Sequence, residues 1–171
     1  MNSFINVLMG NLLLNKGPQD FACSQVLMKL CLGAYFVTGI PGLMITADFV
    51  PAIFAMALDV MVLLAFIYLC LQAFSKSERF VQSVIGLACI GAFFQLLVLP
   101  LIINFDASPE AAEQMLGISI LLLLVVSWNL AAYAHLFKEA FGVRLPAAIA
   151  LTICYIVMNL LARKIFFPAL A

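Results

Sequence analysis

Five long apolar runs separated by short polar connections constrain this chain more than any other feature. They cover residues 24–46, 49–74, 80–104, 114–137 and 146–167. A helix that crosses a bilayer needs about 20 predominantly apolar residues, and every run reaches that length. Hydrocarbon offers no water to the backbone, so each N–H and C=O must be bonded within its own segment, and such runs are helices. The expected fold is all-α, a polytopic membrane helix bundle of about five transmembrane helices. Residues 1–171 form a single integral membrane domain.

Composition agrees, since 67% of the residues are hydrophobic and 9% charged. A soluble domain carries about 25% charged residues, and a water-facing surface cannot be assembled from so few. Eight basic and eight acidic residues give a formal net charge of zero, so the basic face that nucleic acid requires is missing. The cysteines, Cys23, Cys31, Cys70, Cys89 and Cys154, are odd in number and contain no CxxC. They read as small apolar side chains at helix contacts rather than as a disulfide framework.

The run boundaries carry helix punctuation. Pro51 falls in a first turn, where its missing N–H costs nothing. Ser108, Pro109 and Glu110 read as cap, first-turn proline and dipole-compatible acid. Gly142 closes the fourth helix, Pro146 opens the fifth and Pro168 stops it. The segment Thr38-Gly39-Ile40-Pro41-Gly42 is expected to kink or break the outer end of the first helix, and Pro100 to kink the outer end of the third. Ahead of the bundle, Phe4, Ile5, Leu8, Met9 and Leu12 share one helical side, opposite Asn2, Ser3, Asn6 and Gly10. This stretch is too short to span and reads as an interfacial amphipathic helix. It is a poor signal peptide, with no basic residue before the apolar stretch and no A-x-A site after it.

Basic residues set the orientation. Lys76 and Arg79 lie between helices two and three, Lys138 and Arg144 between four and five, and Lys16 and Lys29 near the start. All fall on one side of an alternating bundle, where Lys76, Arg79, Lys138 and Arg144 form a cytoplasmic basic patch. The opposite loops hold Asp48, Asp106, Glu110 and Glu113. The expected topology is N-terminus cytoplasmic, C-terminus outside. Arg163 and Lys164 break the pattern near the outer end of the last helix. Two readings are open for them: snorkelling to the outer headgroups, or a last helix that does not span fully.

Asp59 is the most informative single residue. It lies ten residues into the second run, about 15 Å along the axis at 1.5 Å per residue. An acid near the bilayer centre costs roughly 2.5–3.5 kcal/mol on insertion scales, so it should face the bundle or water. Two readings are open here as well: a proton or cation site, or an acid hydrogen-bonded to a neighbouring helix that fixes packing. Gln95, Asn159 and Tyr155 fall at similar depth and complete a candidate intramembrane polar cluster, with Thr38 close by. No basic residue lies at that depth, so no buried salt bridge to Asp59 is expected. Interhelical hydrogen bonds of this type average about 0.6 kcal/mol.

Other polar and small residues have blander readings. His135, the only histidine, has no HxxxH or HxxE partner and suits interfacial packing. Trp128 reads as a helix contact. Gly86, Ala88, Gly91 and Ala92 mark a close helix approach. There are no paired membrane carboxylates, no GxSxG, no HExxH and no phosphate loop. No catalytic residue, metal site or cofactor is therefore assigned, and an enzyme is not expected.

The entry turn Gly17-Pro18-Gln19-Asp20, the helix start Arg79-Phe80-Val81-Gln82-Ser83, and Trp128-Asn129-Leu130 leading to Phe137-Lys138-Glu139-Ala140 give the chain a resemblance. Its plan resembles the Yip1-like proteins, with five helices, a cytoplasmic N-terminus and a very short outer C-terminus. It is similar still more to uncharacterised bacterial inner-membrane proteins of that plan. Eukaryotic Yip1-family members associate with small GTPases and membrane traffic. For this chain the resemblance implies the architecture. The functional expectation is a noncatalytic inner-membrane protein acting through the lipid bilayer, a membrane-protein partner or a homo-oligomer. The alternative is a small transporter or channel using Asp59.

Overall fold

The computed structural model describes residues 2–104 and 112–167, with side chains described from residue 4 to 104 and from 116 to 167. The described residues form six α-helices and no strand. They are α1 (Asn2–Leu12), α2 (Gln25–Leu43), α3 (Phe49–Ala73), α4 (Phe80–Ile103), α5 (Ala112–Phe141) and α6 (Leu145–Phe166). Single 3-10 turns at Pro18–Asp20 and Ser77–Arg79 precede α2 and α4. Helices α2 to α6 are long and apolar enough to cross a membrane, and they coincide with the five apolar runs. The expected cap at Ser108, Pro109 and Glu110, the outer acid Asp106 and the stop at Pro168 lie outside the described residues, as does the side chain of Glu113.

Local chemistry explains the boundaries. Ser24 caps α2 by accepting from the Leu27 N–H at 3.3 Å. Helix α2 continues through Pro41 and ends at Leu43, short of the Thr46 limit of its apolar run. Helix α4 continues through Pro100, and Asn104 closes it by donating its side-chain amide to the Pro100 carbonyl at 2.7 Å. Gly142 has φ +66°, a left-handed conformation that glycine adopts without a Cβ penalty. Its N–H bonds the Lys138 carbonyl at 2.9 Å, so α5 ends in the turn expected there. Pro146 stands in the first turn of α6.

Helix α4 occupies the centre, touching α1, α2, α3 and α5. Its small residues make this possible. Ala88 is fully buried, and Gly86 leaves room for Leu136, Phe21 and Pro18. A Cβ on Gly91 would stand 2.8 Å from the Tyr133 hydroxyl and would collide with the Tyr35 ring. Aromatic side chains fill the space between α3, α5 and α6. Tyr133 and Tyr155 are stacked with centroids 5.9 Å apart, and Phe66 sits 5.5 Å from Tyr155. All five cysteines are free thiols.

The N-terminal helix packs against the bundle through Val7, Asn11 and Leu12, while Ile5 and Met9 are exposed. The apolar side read from the sequence is thus split between protein and exterior. Asn11 is fully buried, and its side-chain amide donates to the Val7 carbonyl at 2.8 Å. Three side chains of the bundle tie this segment down. Trp128 donates its indole N–H to the Leu12 carbonyl at 2.9 Å. His135 Nε2 lies 2.8 Å from the Lys16 carbonyl. Gln82 donates to the carbonyls of Gln19 and Phe21 at 3.1 and 2.8 Å. These bonds satisfy backbone groups that have no helical partner.

Candidate functional site

The polar residues converge where α2, α3, α5 and α6 meet. Asp59 of α3 is 3% exposed. The Tyr35 hydroxyl of α2 donates to its Oδ2. Arg163 Nη2 of α6 donates to its Oδ1 at 2.9 Å, forming an ion pair. Both carboxylate oxygens therefore have partners, and a buried charge held this way escapes the large penalty of an isolated one.

This ion pair corrects the sequence reading, which placed no basic group within reach of Asp59. Counting residues locates Cα atoms, and Arg163 lies three residues from the end of α6. Its long side chain extends the reach of the guanidinium well beyond its own turn. It neither snorkels away from the bundle nor pairs with the exterior alone. Lys164, its neighbour, forms no ion pair among the described residues.

Helix periodicity delivers the remaining groups. In α6, Thr152, Tyr155, Asn159 and Arg163 recur every three or four residues and share one side. In α5, Asn129 and Tyr133 are one turn apart. In α2, Cys31, Tyr35 and Gly39 form the buried stripe. Together Tyr35, Asp59, Asn129, Tyr133, Tyr155, Asn159 and Arg163 line a cavity of about 220 Å³. Asn159 and Tyr155 thus line the same cavity as Asp59.

Gln95 does not join them. It accepts from the Thr38 hydroxyl at 2.7 Å and borders a second cavity of about 250 Å³ with Thr38, Gly39, Met56 and Arg163. Arg163 is the residue common to both cavities. Tyr35, Asn129, Tyr133 and Arg163 are the site residues that sequence reasoning passed over. The three-to-four spacing of polar residues in α5 and α6 carried the signal.

The four residues of the basic patch gather at the opposite end of the bundle. Arg79 donates to the Glu139 carbonyl at 2.9 Å. Lys138 pairs with Glu139 at 3.0 Å. The Lys76 ammonium lies beside Gly142, and Arg144 immediately precedes α6. Near them, Ala134, His135, Lys138, Ile149 and Ile153 line a largely apolar cleft of about 520 Å³ between α5 and α6. No group of three or more His, Cys, Asp or Glu among the described residues is placed to hold a metal ion.

A comparison with protein-family models, with curated proteins and with solved structures finds no match to this chain. The site is therefore read from its own geometry. Five helices of spanning length, four of which line a polar cavity at the Asp59–Arg163–Tyr35 centre, make up a helical bundle compatible with a multi-pass membrane protein.

Proposed function

We propose that the chain is a noncatalytic, Yip1-like protein of a bacterial inner membrane, acting by contact with lipid or with a membrane-protein partner. The observation that carries this reading is the meeting of Lys76 and Arg79, from the connection between α3 and α4, with Lys138 in the last turn of α5 and Arg144 just before α6. They stand beside the apolar cleft between α5 and α6. A cationic rim next to an apolar trench suits anionic lipid at the cytoplasmic face, where each basic residue contributes about 1 kcal/mol of attraction. In this topology the N-terminus is cytoplasmic, α1 sits at the inner interface and the C-terminus is outside.

The test is native mass spectrometry of the protein released from nanodiscs made with its host lipids. Retention of anionic phospholipid or of a stoichiometric second protein supports the reading. Bare protein from both anionic and neutral nanodiscs contradicts it.

A transporter or channel using Asp59 is the second reading. It is favoured by the two cavities that meet at Arg163, directly beside Asp59. An intramembrane ionisable pair is a candidate pathway residue by default. Proteoliposome flux that Asp59→Asn abolishes, with folded yield retained, supports it. Equal loss of folded protein assigns Asp59 to packing.

A further inference from the structure

Two thiols meet between α2 and α4. Cys31 is buried and Cys89 half-buried, and a hydrogen bond joins their side chains. The register of the two helices explains the meeting. Tyr35 packs on Gly91, and the Thr38 hydroxyl donates to Gln95 at 2.7 Å, so α2 and α4 run parallel here. Cys31 is four residues before Tyr35 and Cys89 two before Gly91, which places the pair about one turn nearer the helix starts. The helices come close because Gly39 and Gly91 carry no Cβ. One on Gly91 would run into the Tyr35 ring, and one on Gly39 would stand 2.8 Å from the Gln95 amide. Such an approach suits a covalent bridge, since a disulfide needs Cα atoms about 4.4–6.8 Å apart. Both cysteines also line one cavity of about 400 Å³. Apart from Thr38 and the two thiols its lining is hydrocarbon, and its Leu30 and Leu96 are exposed on the outside of the bundle. An apolar molecule dissolved in the bilayer therefore has a route to the pair that a charged one lacks.

We propose that Cys31 and Cys89 are a redox-modified pair, converted to an interhelical disulfide by a membrane-soluble organic hydroperoxide. Cys89 is the less buried of the two and reacts first. A thiolate on its sulfur accepts the S–H of Cys31, and a hydrogen bond to the charged form favours that form. The sulfur takes the terminal oxygen of the hydroperoxide, the O–O bond breaks, and the alcohol leaves with the thiol proton. Cys89 is then a sulfenic acid, the step of thiol oxidation that a second thiol reverses to a disulfide. The Cys31 sulfur displaces the hydroxyl, the S–S bond forms, and the hydroxyl leaves as water with the Cys31 proton. Two electrons have passed from the two sulfurs to the peroxide bond. The new bond ties α2 to the central helix one turn from Tyr35, which donates to Asp59, so oxidation fixes α2 beside the polar centre. Neither thiol lines the Asp59 cavity or the cleft between α5 and α6, so the inference depends on neither reading given above.

The experiment uses the purified full chain in nanodiscs of saturated lipid, treated with cumene hydroperoxide. Remaining thiols are blocked with N-ethylmaleimide, and the peptides are mapped by mass spectrometry without reduction. A peptide linking Cys31 to Cys89 should accumulate with dose and disappear on treatment with dithiothreitol. The thermal midpoint should rise as the link forms, because closing the chain between these residues restricts the unfolded state. Cys31→Ser should abolish the linked peptide and leave Cys89 as a sulfenic acid that dimedone traps, while Cys70→Ser should leave the link intact. Cys31→Ala gives the same readout if the serine variant fails to fold. No linked peptide in the folded protein overturns the proposal. So does a link that lowers the midpoint, because it would mean that the two thiols are forced together rather than already in place.

Discussion

Arg163 donates to Asp59 across 2.9 Å, joining the last helix of the bundle to the second long one. The arginine side chain is 29% exposed and the aspartate 3%, so the pair is buried on one side only. This relationship ties α6 to α3, and Tyr35 extends it to α2. Three of the five long helices thus share one polar centre.

Gly91 is expected to be intolerant of any side chain. A Cβ there meets the Tyr35 ring and stands 2.8 Å from the Tyr133 hydroxyl. Both neighbours are buried rings with little room to retreat. Gly91→Ala should lower stability by about 1–3 kcal/mol. Gly33→Ala, where a Cβ meets nothing within 4 Å, should be neutral or stabilising. Thermal unfolding of both variants checks the contrast, and equal midpoints would count against the packing described.

The N-terminal helix is expected to depend on Trp128. Trp128→Phe keeps an aromatic, though smaller, ring and removes the indole donor to Leu12, a loss of about 1 kcal/mol for the bond. Hydrogen exchange at residues 11–16 should accelerate in that variant, with the core of α4 unchanged. Unchanged exchange at 11–16 would show that the bond does not hold the segment.

The proposed topology is open to labelling. In a cysteine-free background, Thr46→Cys, between α2 and α3, should react with a membrane-impermeant maleimide on intact cells. Ser77→Cys, between α3 and α4, should react only after permeabilisation. The reverse pattern would invert the bundle and place the basic rim outside.

Much of the fold was legible because hydrophobicity and length alone dictate spanning helices. Residues such as Pro51, Gly142 and Pro146 then mark where helices start and stop. Asp59 was legible too, since an acid in the middle of an apolar run must turn from lipid toward the bundle or a polar cavity. Its partners were harder. Apolar residues surround each long helix, so hydropathy does not say which side faces the bundle, and Tyr35 and Tyr133 went unread. Gln95 lies at a suitable depth but turns to Thr38 and the second cavity. Arg163 was misplaced because depth was counted along the backbone while the interaction is made at the tip of a long side chain. Its periodic alignment with Tyr155 and Asn159 was the available clue.

The most direct test of the polar centre is a double-mutant cycle on Asp59 and Arg163, read by thermal unfolding of the purified protein. Asp59→Asn and Arg163→Gln each strand one charge. Removing one partner of a fully buried pair costs about 3–5 kcal/mol, and partial exposure of Arg163 brings the expected loss nearer to about 1–3 kcal/mol. The double variant strands no charge, so it should be more stable than the sum of the single losses implies, with a coupling of about 1 kcal/mol or more. Strictly additive losses would contradict the account, because they would mean that the two residues do not meet in the folded protein.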